Sequence, residues 1–296
     1  MPAISLSLCF FEVQMPPITT DNAREIEMTA LGHGGMLAGG QLRTEIPFLR
    51  RFGRALTGDQ VVADLSVVQL MDDLLSLPRL TGTMQSSRVD MYRLYLSILE
   101  TAAVEISEDS MFGLATPRSR QGYFLKHVEG FADDEAADIL CVTQLDFRAL
   151  LKSAHDEVAQ QAGSKVLIIE DEFFIALELE NIVTDLGHQV SGCARTHSEG
   201  ISEIRRMLPD IILSDVQLAD GSSGIEAIEE IQTIANIPAI FITAYPERFL
   251  TGNRREPAFL IAKPFNTSAV RATISQALYL SRHRDCLKKL LEGTAN

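Results

Sequence analysis

Apolar residues recur every three to four positions through the first half of the chain and gather into short unbroken runs in the second. Helical spacing is clearest at Ile46–Leu56, Gln60–Leu75, Asp90–Ile106, Gln121–Glu129, Asp133–Leu140 and Gln144–Leu151, where it collects the apolar side chains on one face of each segment. Thr57-Gly58-Asp59 and Thr81-Gly82-Thr83 interrupt the pattern as turns. Asp133 and Asp134 before Glu135 supply the acids that a helix N-terminus favours. Residues 38–155 are therefore expected to form an all-α domain.

A polar stretch over Ala154–Ser164 precedes a change of rhythm, and 156–163 is expected to be a linker. Beyond it, runs of strand length at Val166–Ile169, Gln189–Ala194, Ile211–Ser214, Ala239–Thr243 and Phe259–Ala262 alternate with helical patterns at Phe173–Leu186, Ser198–Leu208, Gly224–Ile234 and Ser268–Leu280, plus a short one at Glu247–Leu250. Alternating strand and helix signals predict a five-stranded parallel sheet covered on both faces. The α/β domain is expected over 164–285, with a C-terminal tail at 286–296. Residues 1–37 lack the basic start of a signal peptide and carry Glu12 in their apolar stretch. They read as a flexible leader, or as translation from a start codon upstream of Met28 or Met36. No run reaches the length of a membrane span, and a cytoplasmic protein is expected.

Composition sharpens this only in part. The 296 residues carry 26 Lys+Arg and 40 Asp+Glu, a net charge of −14, which disfavours nonspecific binding to nucleic acid. Cys9, Cys141, Cys193 and Cys286 fall into no metal or disulfide spacing and are expected to be isolated buried thiols. His127, His188 and His197 share no motif and are read as packed or solvated.

In parallel α/β sheets, ligands bind beyond the carboxyl ends of the strands. There the chain places Glu170, Asp171 and Glu172 after the first run, Asp215 after the third, Thr243 at the end of the fourth, and Lys263-Pro264 after the fifth. Three converging carboxylates repel one another unless a hard cation lies between them, and oxygen-only ligands point to Mg²⁺. Glu172 alone reads as a helix-capping acid. A lysine and a hydroxyl beside the others suit phosphoryl transfer onto a carboxylate.

This constellation resembles the receiver domain of two-component response regulators, which implies a flavodoxin-like strand order. The resemblance assigns Asp215 as phosphoacceptor, and Glu170, Asp171, Asp215 and the Gln217 backbone carbonyl as Mg²⁺ ligands. It makes Thr243 the switch hydroxyl and Lys263 the conserved-type lysine, and it implies a sensor histidine kinase or phosphotransfer donor as partner. Two positions depart from the usual pattern: Ala219 replaces a common proline, and Leu260 stands where a switch aromatic is usual. Phe241-Ile242-Thr243-Ala244-Tyr245 resembles the variant receiver motif with an aromatic after the fourth strand, which implies that switching runs through Tyr245 instead.

The helical half has its own likeness. Phe48–Gln60 with Ala63-Asp64 resembles the opening helices of extracytoplasmic-function sigma factors, and Val128–Thr143 resembles the start of their C-terminal helix-turn-helix. The recognition helix breaks the likeness, because Gln144–Leu150 offers Leu145, Asp146 and Phe147 with a single arginine, Arg148, where a DNA reader needs basic and amide groups. Residues 1–163 carry 13 Lys+Arg and 22 Asp+Glu, net −9, against 13 and 18, net −5, over 164–296. The half shaped like a promoter reader is thus the more acidic.

A sigma-like domain ahead of a receiver is similar to the general stress response regulators of Alphaproteobacteria. That resemblance implies a non-enzymatic anti-anti-sigma factor: phosphorylation loosens an intramolecular contact, and the freed sigma-like domain sequesters an anti-sigma factor of the NepR kind. The competing reading is a regulator that itself binds promoter DNA or RNA polymerase as a sigma factor. Residues of the partner interface are not legible in the sequence; Arg50, Arg51 and Arg54 are candidates for it, with a solvated basic face as the alternative.

Overall fold

A computed structural model describes residues 38–76, 87–109, 116–161, 163–218, 220–250 and 256–293; the leader, Ala219 and the Thr81-Gly82-Thr83 turn lie outside them. The helical half comprises α1 (Ala38–Thr57), α2 (Gln60–Ser76), α3 (Arg88–Asp109), α4 (Arg118–His127), α5 (Asp133–Ile139) and α6 (Gln144–Ala159). Short side chains start several of these. Asp59 Oδ1 accepts the Val61 and Val62 N–H groups at the head of α2, and Thr143 Oγ1 accepts the Asp146 N–H at the head of α6, each satisfying donors the helix cannot.

The second half runs β1 (Lys165–Ile169), α7 (Phe173–Asp185), β2 (Gln189–Ala194), α8 (His197–Arg206), β3 (Ile211–Asp215), α9 (Gly224–Ile234), β4 (Ala239–Thr243), a 3₁₀ turn (Pro246–Arg248), β5 (Phe259–Ala262) and α10 (Thr267–Gly293). The five strands are all parallel in the order β2-β1-β3-β4-β5. This is the flavodoxin-like order, in which the chain reverses direction across the sheet between β1 and β3.

Two apolar cores follow from the alternation of side chains along the strands. Leu167, Ile169, Ile212 and Phe241 face α8 and α9 residues such as Ile204 and Ile228. Val166, Ile168, Leu213 and Ile242 belong to a larger core that runs without a break through α7 and α10 into Leu49, Phe52, Tyr95, Phe124 and Phe147 of the helical half. One core therefore spans the junction of the two halves.

Polar groups thread the same junction. Arg120 of α4 donates to Ser275 Oγ at 3.0 Å and lies 4.3 Å over the Tyr279 ring, and Gln276 Nε2 donates to the Ala55 carbonyl at 2.9 Å and to Thr116 Oγ1 at 2.8 Å.

Several expectations are corrected here. Helix α6 runs to Ala159, into the expected linker, because Ala154 and Val158 are still buried. Helix α10 runs to Gly293, through most of the expected tail. Cys141 and Cys193 are exposed rather than buried. Cys193 Sγ–H donates to Glu180, and burial of part of the group together with that carboxylate pushes the thiol up to about 12, far from a reactive thiolate. Arg50, Arg51 and Arg54 form no solvated face: all three are buried. Arg51 pairs with Glu129 at 2.9 Å, and the other two meet Glu256 of the receiver half.

Candidate functional site

The carboxyl ends of β1, β3, β4 and β5 converge on one pocket. Asp215 closes β3 and is buried. Lys263, the first residue after β5, reaches back to it. Its Nζ lies 2.6 Å from Asp215 Oδ2, 3.0 Å from Glu170 Oε2 and 3.3 Å from Glu172 Oε1. The Lys263–Pro264 peptide is cis, and the Lys263 N–H donates to the Thr243 carbonyl at 2.7 Å, which ties the lysine's backbone to the neighbouring strand end.

The acids are set by the turn after β1. The Glu172 N–H donates to Glu170 Oε1 at 3.2 Å, and the Gln217 N–H donates to Asp215 Oδ1 at 3.0 Å. Ligand oxygens of Glu170, Asp171 and Asp215 all lie within 4.8 Å of one another. Glu172 is the N-cap residue of α7 but makes no capping bond with its side chain; it turns to Lys263 instead. Burial, with the Asp215 charge adding to it, pushes the Glu170 carboxyl up to about 7 against the pull of Lys263. Burial works against the Lys263 ammonium, and its bonds to Asp215 and Glu170 outweigh that, so its pKa is raised. Glu170 Oε2 is buried without an aligned hydrogen bond among the described residues.

An all-oxygen donor set within 4.8 Å, with carboxylates outnumbering the one lysine in contact with them, fits a hard divalent cation.

Thr243 closes β4 one residue beyond Ile242, which pairs with Asp215 in the sheet, and Thr243 Oγ1 accepts the Tyr245 N–H at 3.1 Å. Tyr245 is exposed, with the Arg248 guanidinium 4.5 Å from its ring centre. Leu260 is buried among core residues and is no candidate for a moving switch.

The structure thus brings Glu170, Asp171, Asp215 and Lys263 into contact range, sets Gln217 on Asp215 through its backbone, and places Thr243 on the adjoining strand. Two features escaped the sequence reading. At Gly224, any Cβ would strike the Asp215 backbone carbonyl, so only glycine lets α9 start this close to the site; its signal is a glycine at the head of an amphipathic pattern. The other is Glu256, for which no local signal exists.

A five-stranded parallel sheet of this order, ending in an acidic pocket closed by a lysine, defines the receiver of a response regulator, here preceded by a helical half. Comparison with known proteins agrees. The response regulator receiver domain matches residues 166–275, the Sigma2 domain of PhyR matches 42–96, and the sigma-like domain of response regulator PhyR matches 114–161. The phyllosphere-induced regulator PhyR of Methylorubrum extorquens is 43% identical over 80% of this chain and 92% of its own. The crystal structure of PhyR from Brucella abortus is 42% identical, covers 82% of this chain and 94% of its own, and superposes with a TM-score of 0.71. That of the anti-anti-sigma factor PhyR from Bartonella quintana, 42% identical, covers 82% and 96% with a TM-score of 0.73. The chain belongs to the PhyR family of response regulators.

Proposed function

We propose that this protein is a phosphorylation-controlled anti-anti-sigma factor in which Asp215 is the phosphoacceptor. A carboxylate oxygen of Asp215 attacks the phosphorus of a phosphohistidine or small acyl-phosphate donor; the new O–P bond forms as the donor's bond to phosphorus breaks, and the leaving group departs with its electron pair. Glu170, Asp171, Asp215 and the Gln217 carbonyl would hold Mg²⁺, which supplies neutralisation of phosphoryl charge when bound. Lys263, 2.6 Å from Asp215 Oδ2, would follow a phosphoryl oxygen, the Thr243 hydroxyl would donate to another, and Tyr245 would respond to the Thr243 shift. The protein turns over no substrate beyond gaining and losing its own phosphoryl group.

The observation that carries the reading is the shared core and polar junction between the receiver and a sigma-like half whose DNA-facing helix is not basic. Phosphorylation acts on the receiver end of that junction, a local charge change biasing a two-state contact. The released domain, 38–155 by the sequence division, would bind an anti-sigma factor of the NepR kind, a reading supported by the likeness to an anti-anti-sigma factor, in the cytoplasm where kinase and sigma factor work. Direct promoter binding as a sigma factor is not favoured. The test is capture from a lysate of the protein's own cells on the purified chain, with and without acetyl phosphate. Recovery of a small anti-sigma protein, identified by mass spectrometry and by its own hold on a sigma factor, is expected only with phosphorylation; equal recovery in both states, or none, would overturn the reading.

A further inference from the structure

Helix α1 packs against β5, where Phe259 and Ile261 share the apolar core with Leu49 and Phe52, and beside that contact lies a cluster of charges. Arg50 grips Asp64 of α2 with two prongs, Nε to Oδ1 at 2.8 Å and Nη2 to Oδ2 at 3.0 Å, and donates its third, Nη1, to Glu256 Oε1 at 3.0 Å. Arg54, one turn on, puts Nη2 2.7 Å from Glu256 Oε2, and its Nη1 lies 3.9 Å from Asp64. Both arginine side chains and that of Glu256 are at most 3% exposed. Glu256 is further held by its backbone N–H, which donates to Gln60 Oε1 at 3.1 Å. Arg54 Nε and Nη1 have no aligned acceptor among the described residues.

The four charges balance only while Glu256 is in place. When the receiver moves away, Arg50 and Arg54 stay on one helix with Asp64 alone between them. A net positive spot of two fixed guanidiniums is then left on a half of the chain whose net charge is −9. Guanidiniums so arranged recognise carboxylates by geometry as well as charge. Glu256 lies just before β5 and Lys263 just after it, so one short strand links the lysine on Asp215 to the acid that fills the pair.

We infer that Arg50 and Arg54 form a carboxylate socket on the sigma-like half, filled by Glu256 in the closed molecule and by an acidic side chain of the anti-sigma partner in the open one. Glu256 is then a stand-in for the partner, and the two compete for one site. The inference rests on the proposed function, and its test separates the two.

The protein captured above serves as the probe, its binding measured against full-length variants with and without acetyl phosphate. Glu256→Gln, which keeps the shape and removes the charge, should bind the probe unphosphorylated at least ~10-fold more tightly than unphosphorylated wild type, since unpairing a buried charge is costly to the closed state. Arg54→Gln should also loosen the closed state, yet when phosphorylated it should bind the probe at least ~10-fold more weakly than phosphorylated wild type. A mere clamp predicts the opposite for Arg54→Gln: binding as tight as wild type or tighter, which would overturn the socket. Circular dichroism melts check folding, and if Arg54→Gln melts, Arg54→Lys decides. It keeps the charge without the fork, so a socket predicts weaker phosphorylated binding and a clamp does not. Wild type that captures no probe sinks the proposed function and the partner side of this inference together; wild type that captures it while neither arginine variant weakens it sinks this inference alone.

Discussion

Lys263 holds three carboxylates at once, at 2.6 Å from Asp215, 3.0 Å from Glu170 and 3.3 Å from Glu172. Removing one of them leaves the lysine paired and the site folded. Asp215→Ala should therefore keep its secondary structure and lose labelling by radiolabelled acetyl phosphate to background, because no other side chain takes the nucleophile's place at the end of β3. Persistent labelling of that variant would move the phosphoacceptor elsewhere. The residues of this pocket were legible in the sequence because each stops an apolar run, and in a parallel sheet the stops converge. Arg50, Arg51 and Arg54 were not. Their acids, at 64, 129 and 256, lie up to 206 residues away, and adjacent arginines on a helix look the same whether water or a distant carboxylate faces them.

Helix α4 packs an unusual set of rings against α6. The ring of Tyr123 lies 4.4 Å from that of His127 and 5.1 Å from that of His155, and His127 Nε2 is buried without a partner among the described residues. Burial, with the nearby Lys126 and His155 adding to it, pushes the His127 pKa down to about 4 from 6.5, Asp133 opposing. Between those values the unfolded chain takes up a proton that the folded chain does not, so acidification through this window favours unfolding and stability rises again with pH up to about 6.5. Glu170, pushed up to about 7, takes up its proton in the folded chain over much of this window and works the other way, so the comparison is between variants. His127→Phe, which keeps a ring in place, should raise the urea midpoint at pH 5 relative to that at pH 7 compared with wild type; an unchanged difference would mean that His127 is not a responsible group. Elements as a class were well marked by their periodicity. Their ends were not: α6 continues where Ala154 and Val158 stay buried, past polar residues that read as a linker, and α10 runs to Gly293 through most of what reads as a tail.

Across the whole molecule the charge is uneven, net −9 over 1–163 and −5 over 164–296, and no helix among the described residues is long and apolar enough to cross a membrane. A field of that sign repels phosphate backbones at every salt concentration at which it is felt. The full chain, with or without acetyl phosphate, should therefore not retard a promoter fragment in a mobility shift at ~10 µM protein and low salt, a regime in which even nonspecific binders do so. Tight, salt-sensitive retardation would restore the sigma-factor reading. The same scale holds the device that gives phosphorylation something to act on: one apolar core crosses the junction, and Arg120, Gln276 and Glu256 place hydrogen bonds and ion pairs within it. Mixed polar and apolar junctions of this kind hold two bodies together without making them inseparable.

By itself the sequence determined the helical half, the order of strands and helices in the second, the pocket of Glu170, Asp171, Asp215 and Lys263, and the mismatch between a promoter reader's shape and an acidic surface. All of these are written in local period, in strand ends or in charge counts, quantities that need no knowledge of which residues meet. Only the tertiary structure decided that three arginines are buried, that Glu172 serves Lys263 rather than its helix, and that Glu256 joins the receiver to the sigma-like half. Those are pairings across long stretches of chain, and a charge reveals its partner only when the fold has brought it there.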